Sequence, residues 1–284
     1  MQTIRNPGEW TAELLAGASA HLSSMARAMR GIDHRAVAVR TLTRDDLRAA
    51  LREGADDFAA CRTDVLFLVV AYPLAGLFAV ALAANAALLP LLFPAVAGLS
   101  LMGPVAAVGL YEMSRRRERG ETPSWGDAFK LVGSPSFGAM LALALAIGAI
   151  FLMWLGAARA IYAATLGPAA PASLWGFVGD VLGTPAGWAM IVVGMGVGFL
   201  FACVVLAISV VSFPLLLDRE VGLARAVATS AQVVAKNPRV MAEWGLIVAG
   251  ALALGSAPFF LGLMFVMPVL GHATWRLYRR AVAA

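Results

Sequence analysis

Apolar residues run through this chain in blocks of about the length an α-helix needs to cross a bilayer, roughly 20 residues. Four blocks are plain: about Val65–Ala84, Ala87–Tyr111, Pro135–Ala158 and Pro185–Phe213. Only a few residues around Asn85 separate the first two, which reads as a tight hairpin. The stretch Pro238–Trp275 is compatible with one long tilted helix or with two helices turning at Gly255-Ser256-Ala257-Pro258. A Gly/Ser/Pro cluster is a turn signal and favours two, about 238–255 and 258–275. Ser134-Pro135, Thr184-Pro185 and Asn237-Pro238 each place a capping residue before a proline at a helix start.

Between the apolar blocks lie amphipathic segments. Leu47, Ala50, Leu51, Gly54 and Phe58 share one face at helical spacing, with Arg44, Arg48, Arg52 and Asp56 elsewhere. Leu223, Ala226, Val227, Ser230 and Val234 give the same pattern 176 positions later, and Trp125, Ala128, Phe129 and Val132 a shorter version. The exits also match. Counted from Pro104 and from Pro268, an aromatic residue (Tyr111, Trp275) and then an arginine pair (Arg115-Arg116, Arg279-Arg280) fall at equal distances, while Pro214 with Asp218-Arg219 is looser. This predicts three pseudo-repeated units, each an amphipathic helix followed by a transmembrane hairpin. Tandem repeats are one known way to build membrane proteins, although proline, aromatics and arginine also gather at membrane boundaries for other reasons.

Composition agrees with the patterning. Of 284 residues, 61% are hydrophobic and 14% charged, against roughly 45–50% and about 25% in ordinary globular proteins. Disorder is excluded, and two cysteines cannot build a disulfide scaffold. The net charge of +5 does not call for nucleic acid, because basic residues collect in cytoplasmic loops of membrane proteins. With six spans, the segment before the first span carries nine arginines, the loop 112–134 five basic residues, the segment 214–239 four and the tail three, all on one side. Arg159 is the exception. Five spans would strand the three tail arginines outside. The expected organisation is an N-terminal arm, residues 1–40, holding a helix and lacking a signal peptide's apolar core, then a six-span domain over 41–284. Both termini are expected in the cytoplasm of a bacterium whose use of 20 Arg against two Lys suggests a GC-rich genome.

Candidate chemistry is sparse. The histidines are His21, His34 and His272, too few for a haem–copper centre. Neither a His-Glu-x-x-His helix nor a Gly-x-Ser-x-Gly elbow is present. Gly194 and Gly198 have small-xxx-small spacing and suit helix packing. Charges within a bilayer are costly and often functional, which singles out Glu243, one turn into the fifth span, and His272 in the sixth, as a proton or cation relay or as locally hydrogen-bonded boundary groups. Asp218, Arg219 and Trp275 complete the candidates. Trp244, Trp275 and Tyr278 read as interfacial anchors, and Leu174–Phe177 as a short interfacial helix. No catalytic residue, cofactor or metal is assigned. The expected partners are membrane lipids and a membrane-protein complex.

The pattern Leu47-x-x-Ala50-Leu51-x-x-Gly54-x-x-Asp57-Phe58 with Tyr72-Pro73 resembles the family of predicted bacterial integral membrane proteins called domain of unknown function 2189. So do Phe213–Arg219 with Ala226-Val227, Ser230, Asn237-Pro238 and Trp244, and the ending Pro268–Trp275 with Tyr278-Arg279. The resemblance runs over about Thr41–Arg280. It implies a multi-span inner-membrane protein of unknown activity. Some relatives carry an oxidase-subunit label, which three histidines do not support. The functional expectation is a non-enzymatic accessory or scaffold protein, with a transporter or a carrier of lipid or small molecules as the alternative.

Overall fold

The computed structural model describes residues 37–61, 77–78, 81, 84–122, 126, 130–257 and 260–283. Most of the expected span Val65–Ala84, nearly all of the arm 1–40, and Trp125, Ala128 and Phe129 of the third amphipathic segment lie outside the described residues. Regular structure among the described residues is helical, apart from one antiparallel bridge between Val39 and Val282.

Helix α1, Arg44–Ala60, opens with a capping box: the Thr43 hydroxyl accepts from the Asp46 amide and the Asp46 carboxylate accepts from the Thr43 amide. Its buried face is Leu47, Ala50, Gly54 and Asp57. The block expected as a span over Ala87–Tyr111 is not one helix. A 3₁₀ turn, Ala86–Leu91, leads into α2, Leu92–Leu99, a second 3₁₀ turn, α3, Gly103–Ala106, and α4, Val108–Glu118. Pro90, Pro94 and Pro104 lack the amide that would continue a regular helix, and their rings crowd the preceding turn.

Helices α5, Phe137–Thr165, α6, Leu174–Gly183, and α7, Pro185–Ser209, follow. Then come α8, Ser212–Asp218, α9, Leu223–Lys236, α10, Pro238–Ser256, and α11, Leu263–Ala281. Helix α6 covers the expected short helix at Leu174–Phe177. The turn expected near Gly255 is present: Gly262 lies so close to Gly255 that a Cβ on it would sit 2.7 Å from the Gly255 Cα. The last helix therefore starts at Leu263 and runs past Trp275 to Ala281, later than the expected 258–275.

Of the three proline-preceding caps, Thr184 accepts from the Gly187 amide at 3.0 Å as expected. Ser134 does not cap, and Asn237 stands at the cap position before Pro238 as expected but makes no side-chain bond to the helix start. Helix α5 starts later, at Phe137, and the Asn237 side chain is bonded elsewhere: its Oδ1 accepts from the Leu42 amide at 2.7 Å, and its Nδ2 donates to the carbonyls of Arg40 and Val233.

Among the described residues, three helical stretches are long and apolar enough to cross a membrane: α5, α7 continued through α8 (Pro185–Asp218), and α10. Their most apolar windows are only 28%, 6% and 17% buried within the chain. Leu145, Leu152, Val192, Phe199, Leu246 and Leu254 are among the large side chains left exposed. Water-soluble monomers rarely leave so extended an apolar surface uncovered; hydrocarbon tails cover it without penalty. The tightly packed core lies elsewhere, where α1, α4, α8, α9 and α11 meet. Leu110, Tyr111, Met113, Phe213, Leu215, Trp275 and Tyr278 are all essentially inaccessible there. Helix α1 packs along α11, α9 packs against α8, and α4, α8 and α11 touch one another.

Candidate functional site: a buried ionic layer

Charged side chains would be expected to avoid that core, yet it is laced with them. Helix α1 supplies Asp57 on its buried face, three residues after Gly54. The approach of α1 to α11 is close because Gly54 has no side chain: a Cβ would fall 2.6 Å from the Ala273 amide nitrogen. This brings the Asp57 carboxylate against α4 and α11. Arg276 donates twice, Nε to Oδ2 at 2.8 Å and Nη2 to Oδ1 at 2.7 Å. Arg117 donates to Oδ1 at 2.6 Å, and the Ser114 hydroxyl donates to Oδ2 at 2.8 Å. Asp57 is 1% exposed. Burial opposes its ionisation, but the bonds from Arg276 and Ser114 and the charges of Arg276 and His272 outweigh it, so the carboxyl is held below its ordinary value. Burial likewise opposes the Arg276 charge, and Asp57 more than restores it.

His272 lies one step further along. Its Nδ1 is 2.7 Å from the Ser114 oxygen. Ser114 has one hydroxyl proton, and that proton is given to an ionised carboxylate, which only accepts. The remaining bond therefore requires Nδ1–H of His272 to donate to Ser114. Serine, histidine and aspartate are thus in contact, but serine sits in the middle of the chain. A hydrolytic triad places histidine there, so that it can take the serine proton. All three residues are also closed to solvent. The arrangement fixes positions and has no poised nucleophile.

Asp218, Arg219 and Trp275 sit in the same layer. Asp218, at the end of α8, accepts from the Tyr278 hydroxyl at 2.7 Å and from Arg279 at 3.3 Å. Burial and then the Asp218 charge push the Tyr278 phenol well above its usual range. Arg219 donates to the Ala283 carbonyl at 2.5 Å. Trp275 donates its indole N–H to Glu118, which also accepts from Arg279, each at 3.0 Å. Glu243 is apart from His272: it takes Arg44 from the start of α1 through both oxygens, at 2.5 to 3.0 Å. The two are thus held by different partners, Glu243 by Arg44 and His272 by Ser114, and no bond between them is seen. Trp244, Trp275 and Tyr278 are buried core residues, at 1–2% exposure. Among the described residues, Trp175 and Trp188 are the exposed tryptophans. The glycine reading is split: a Cβ on Gly198 would meet the Trp154 ring at 3.0 Å, whereas one on Gly194 would meet nothing.

Sequence reasoning singled out neither Ser114, Arg117 and Arg276 nor Glu112. Glu112 is 2% exposed and bridges Arg115 and Arg116, and Arg115 also donates to the Leu217 carbonyl. Among the described residues, no cluster of His, Cys, Asp and Glu has the makings of a metal site. The layer joins α1, α4, α8 and α11 through charge-assisted hydrogen bonds and ion pairs between the protein's own side chains.

Residues 92–218 match the model of a family described as predicted integral membrane proteins (DUF2189). The match covers the interrupted second block through α8, somewhat less than half of the chain, and ends at Asp218. No curated protein and no solved structure matches the chain.

Proposed function

We propose, on the premise that residues 92–218 carry the pattern of a predicted integral membrane protein family, that this chain is a non-enzymatic accessory or scaffold protein of the bacterial cytoplasmic membrane. It crosses six times, with both termini in the cytoplasm, and the ionic layer lies at the cytoplasmic boundary of the bundle. The basic side chains support that orientation, since all but Arg159 fall on one side when six spans are drawn. The repeat reading finds support in the buried faces of α1 and α9. Ala50 and Gly54 of one correspond to Ala226 and Ser230 of the other, and all four are buried.

One observation carries the functional reading. The acids a relay or an active site would use are already spent on the protein's own cations. Asp57 holds Arg276 and Arg117, Glu112 holds Arg115 and Arg116, and Glu243 holds Arg44. Asp218, Arg219, Trp275, His272 and Glu243 on this view are positioning residues that lock the boundary surface into one shape for a partner to read.

A carrier is the second reading, favoured by the proline-interrupted path from Ala86 to Glu118. Broken helices in transporters expose carbonyls to a cavity. Here the Pro94 carbonyl accepts from the Trp154 indole at 2.8 Å, which ties the break to α5. The deciding experiment extracts the tagged protein with its native lipids, measures its mass and identifies what co-purifies. A stoichiometric membrane-protein partner is expected. A lone species that supports solute flux in liposomes would overturn the accessory reading in favour of the carrier.

A further inference from the structure

We infer that the groove between α1 and α10 seats the phosphate headgroup of an anionic phospholipid, with an acyl chain running along α10. This rests on the membrane reading of the chain and not on the accessory role.

The groove is open, has a volume of about 240 Å³, and is lined by Arg44, Leu47, Arg48, Leu51, Glu243 and Ile247. Its lining therefore holds two cations, one carboxylate and three aliphatic side chains. Glu243 lies one turn into α10, at the depth where a span leaves the hydrocarbon. Ile247 lies one turn deeper. At helical spacing the same face continues through Gly250 to Leu254, which is 77% exposed. A lipid of the adjoining leaflet thus finds a cationic rim and an apolar track that continues into the bilayer.

The arginines have donors to spare. Glu243 engages Nε and Nη2 of Arg44, and Asp45, outside the groove, takes Nη1 of Arg48. A guanidinium carries five N–H donors, so both can face a phosphate without releasing their acids. The two side chains are 73% and 69% exposed, open to a ligand from the lipid side. Their stems lie beside Leu47 and Leu51, as arginine stems do at membrane boundaries. A zwitterionic lipid brings its own cation to this rim and gains less.

The test uses the full chain in mild detergent, titrated with phosphatidylglycerol or phosphatidylcholine of equal chain length and read by native mass spectrometry. The native chain is expected to retain phosphatidylglycerol in preference. Each arginine near an anionic lipid should be worth on the order of fivefold in occupancy. Arg48→Gln, at an exposed position, should lower the preference, and Arg44→Gln with Arg48→Gln should abolish it. Glu243→Gln should raise it by freeing Arg44. Arg119→Gln, outside the groove, should leave it unchanged. Circular dichroism identifies any variant that fails to fold, and the Arg48→Gln result then stands alone. Equal retention of the two lipids by the native chain, an unchanged preference in folded Arg48→Gln, or a fall in folded Glu243→Gln would overturn the assignment.

Discussion

Arg276 grips Asp57 at two points across 219 residues of chain, one nitrogen to each carboxylate oxygen, at 2.8 and 2.7 Å. Paired forks of this kind are the strongest ordinary hydrogen-bonding geometry between side chains. This one holds the first described helix against the last.

Asp57→Asn removes the charge and leaves Arg276 and Arg117 facing a neutral amide. Breaking a buried pair from one side costs about 3–5 kcal/mol. The expected result is a large drop in the midpoint of thermal unfolding in detergent. Asp57→Asn combined with Arg276→Gln should lose less than the sum of the two single changes. Strict additivity would mean that the two residues are not energetically coupled.

The same pair sets an acid limit. The folded carboxyl of Asp57 is held below its unfolded value, which is about 3.9. Its stabilising contribution is therefore complete above the unfolded value and is lost as pH falls through the lower, folded one. The stability gap between the native chain and Asp57→Asn should be constant from about pH 7 to 5 and should narrow below about pH 4. A gap that widens on acidification would contradict this.

Gly54→Val should force α1 off α11, since even a Cβ would meet the Ala273 backbone at 2.6 Å. Overpacking of this kind costs about 1–3 kcal/mol or more. Gly194→Ala, where a Cβ meets nothing within 4 Å, should leave the unfolding midpoint unchanged or slightly raised. Equal effects at the two sites would refute the packing described for α1 and α11.

Labelling with a charged, membrane-impermeant maleimide tests the orientation. Cys203 is exposed on α7, on a face assigned to lipid, and should stay unlabelled in intact cells. In a chain freed of both native cysteines, Asp180→Cys in α6 should react from outside, whereas Arg119→Cys should react only after the membrane is breached. The reverse pattern would invert the proposed topology.

The long helices were legible because their signal is local. Phe137–Thr165, Pro185–Ser209 and Pro238–Ser256 lie close to where apolar runs, prolines and caps predict them. The amphipathic faces of α1 and α9 were legible for the same reason. The centre of the ionic layer was not, since the partners of Asp57 are 57 to 219 residues away and no spacing rule connects them to it. One local sign of it existed. Asp57 falls on the apolar face of its own helix, in register with Ala50 and Gly54, and the corresponding position 176 residues later is Val233. An acid on the buried face where the sister segment has valine announces a buried counter-charge. Trp275 and Tyr278 misled for the opposite reason: burial in the core and anchoring at a membrane boundary produce the same sequence pattern, and only the bonds to Glu118 and Asp218 separate them.

The small bridge between Val39 and Val282 also constrains how the chain can be threaded. The Arg40 amide donates to the Ala281 carbonyl and the Ala283 amide to the Ala38 carbonyl. Two backbone segments bonded in this way cannot occupy opposite faces of a bilayer, so every outward passage between them is matched by a return. The number of crossings from Val39 to Val282 is therefore even. The three stretches that qualify on length and composition among the described residues make an odd set. At least one more passage must come from elsewhere in the chain, and the apolar block Val65–Ala84, most of which lies outside the described residues, is one that hydropathy selects. The bridge thereby fixes the parity of the topology without reference to charge.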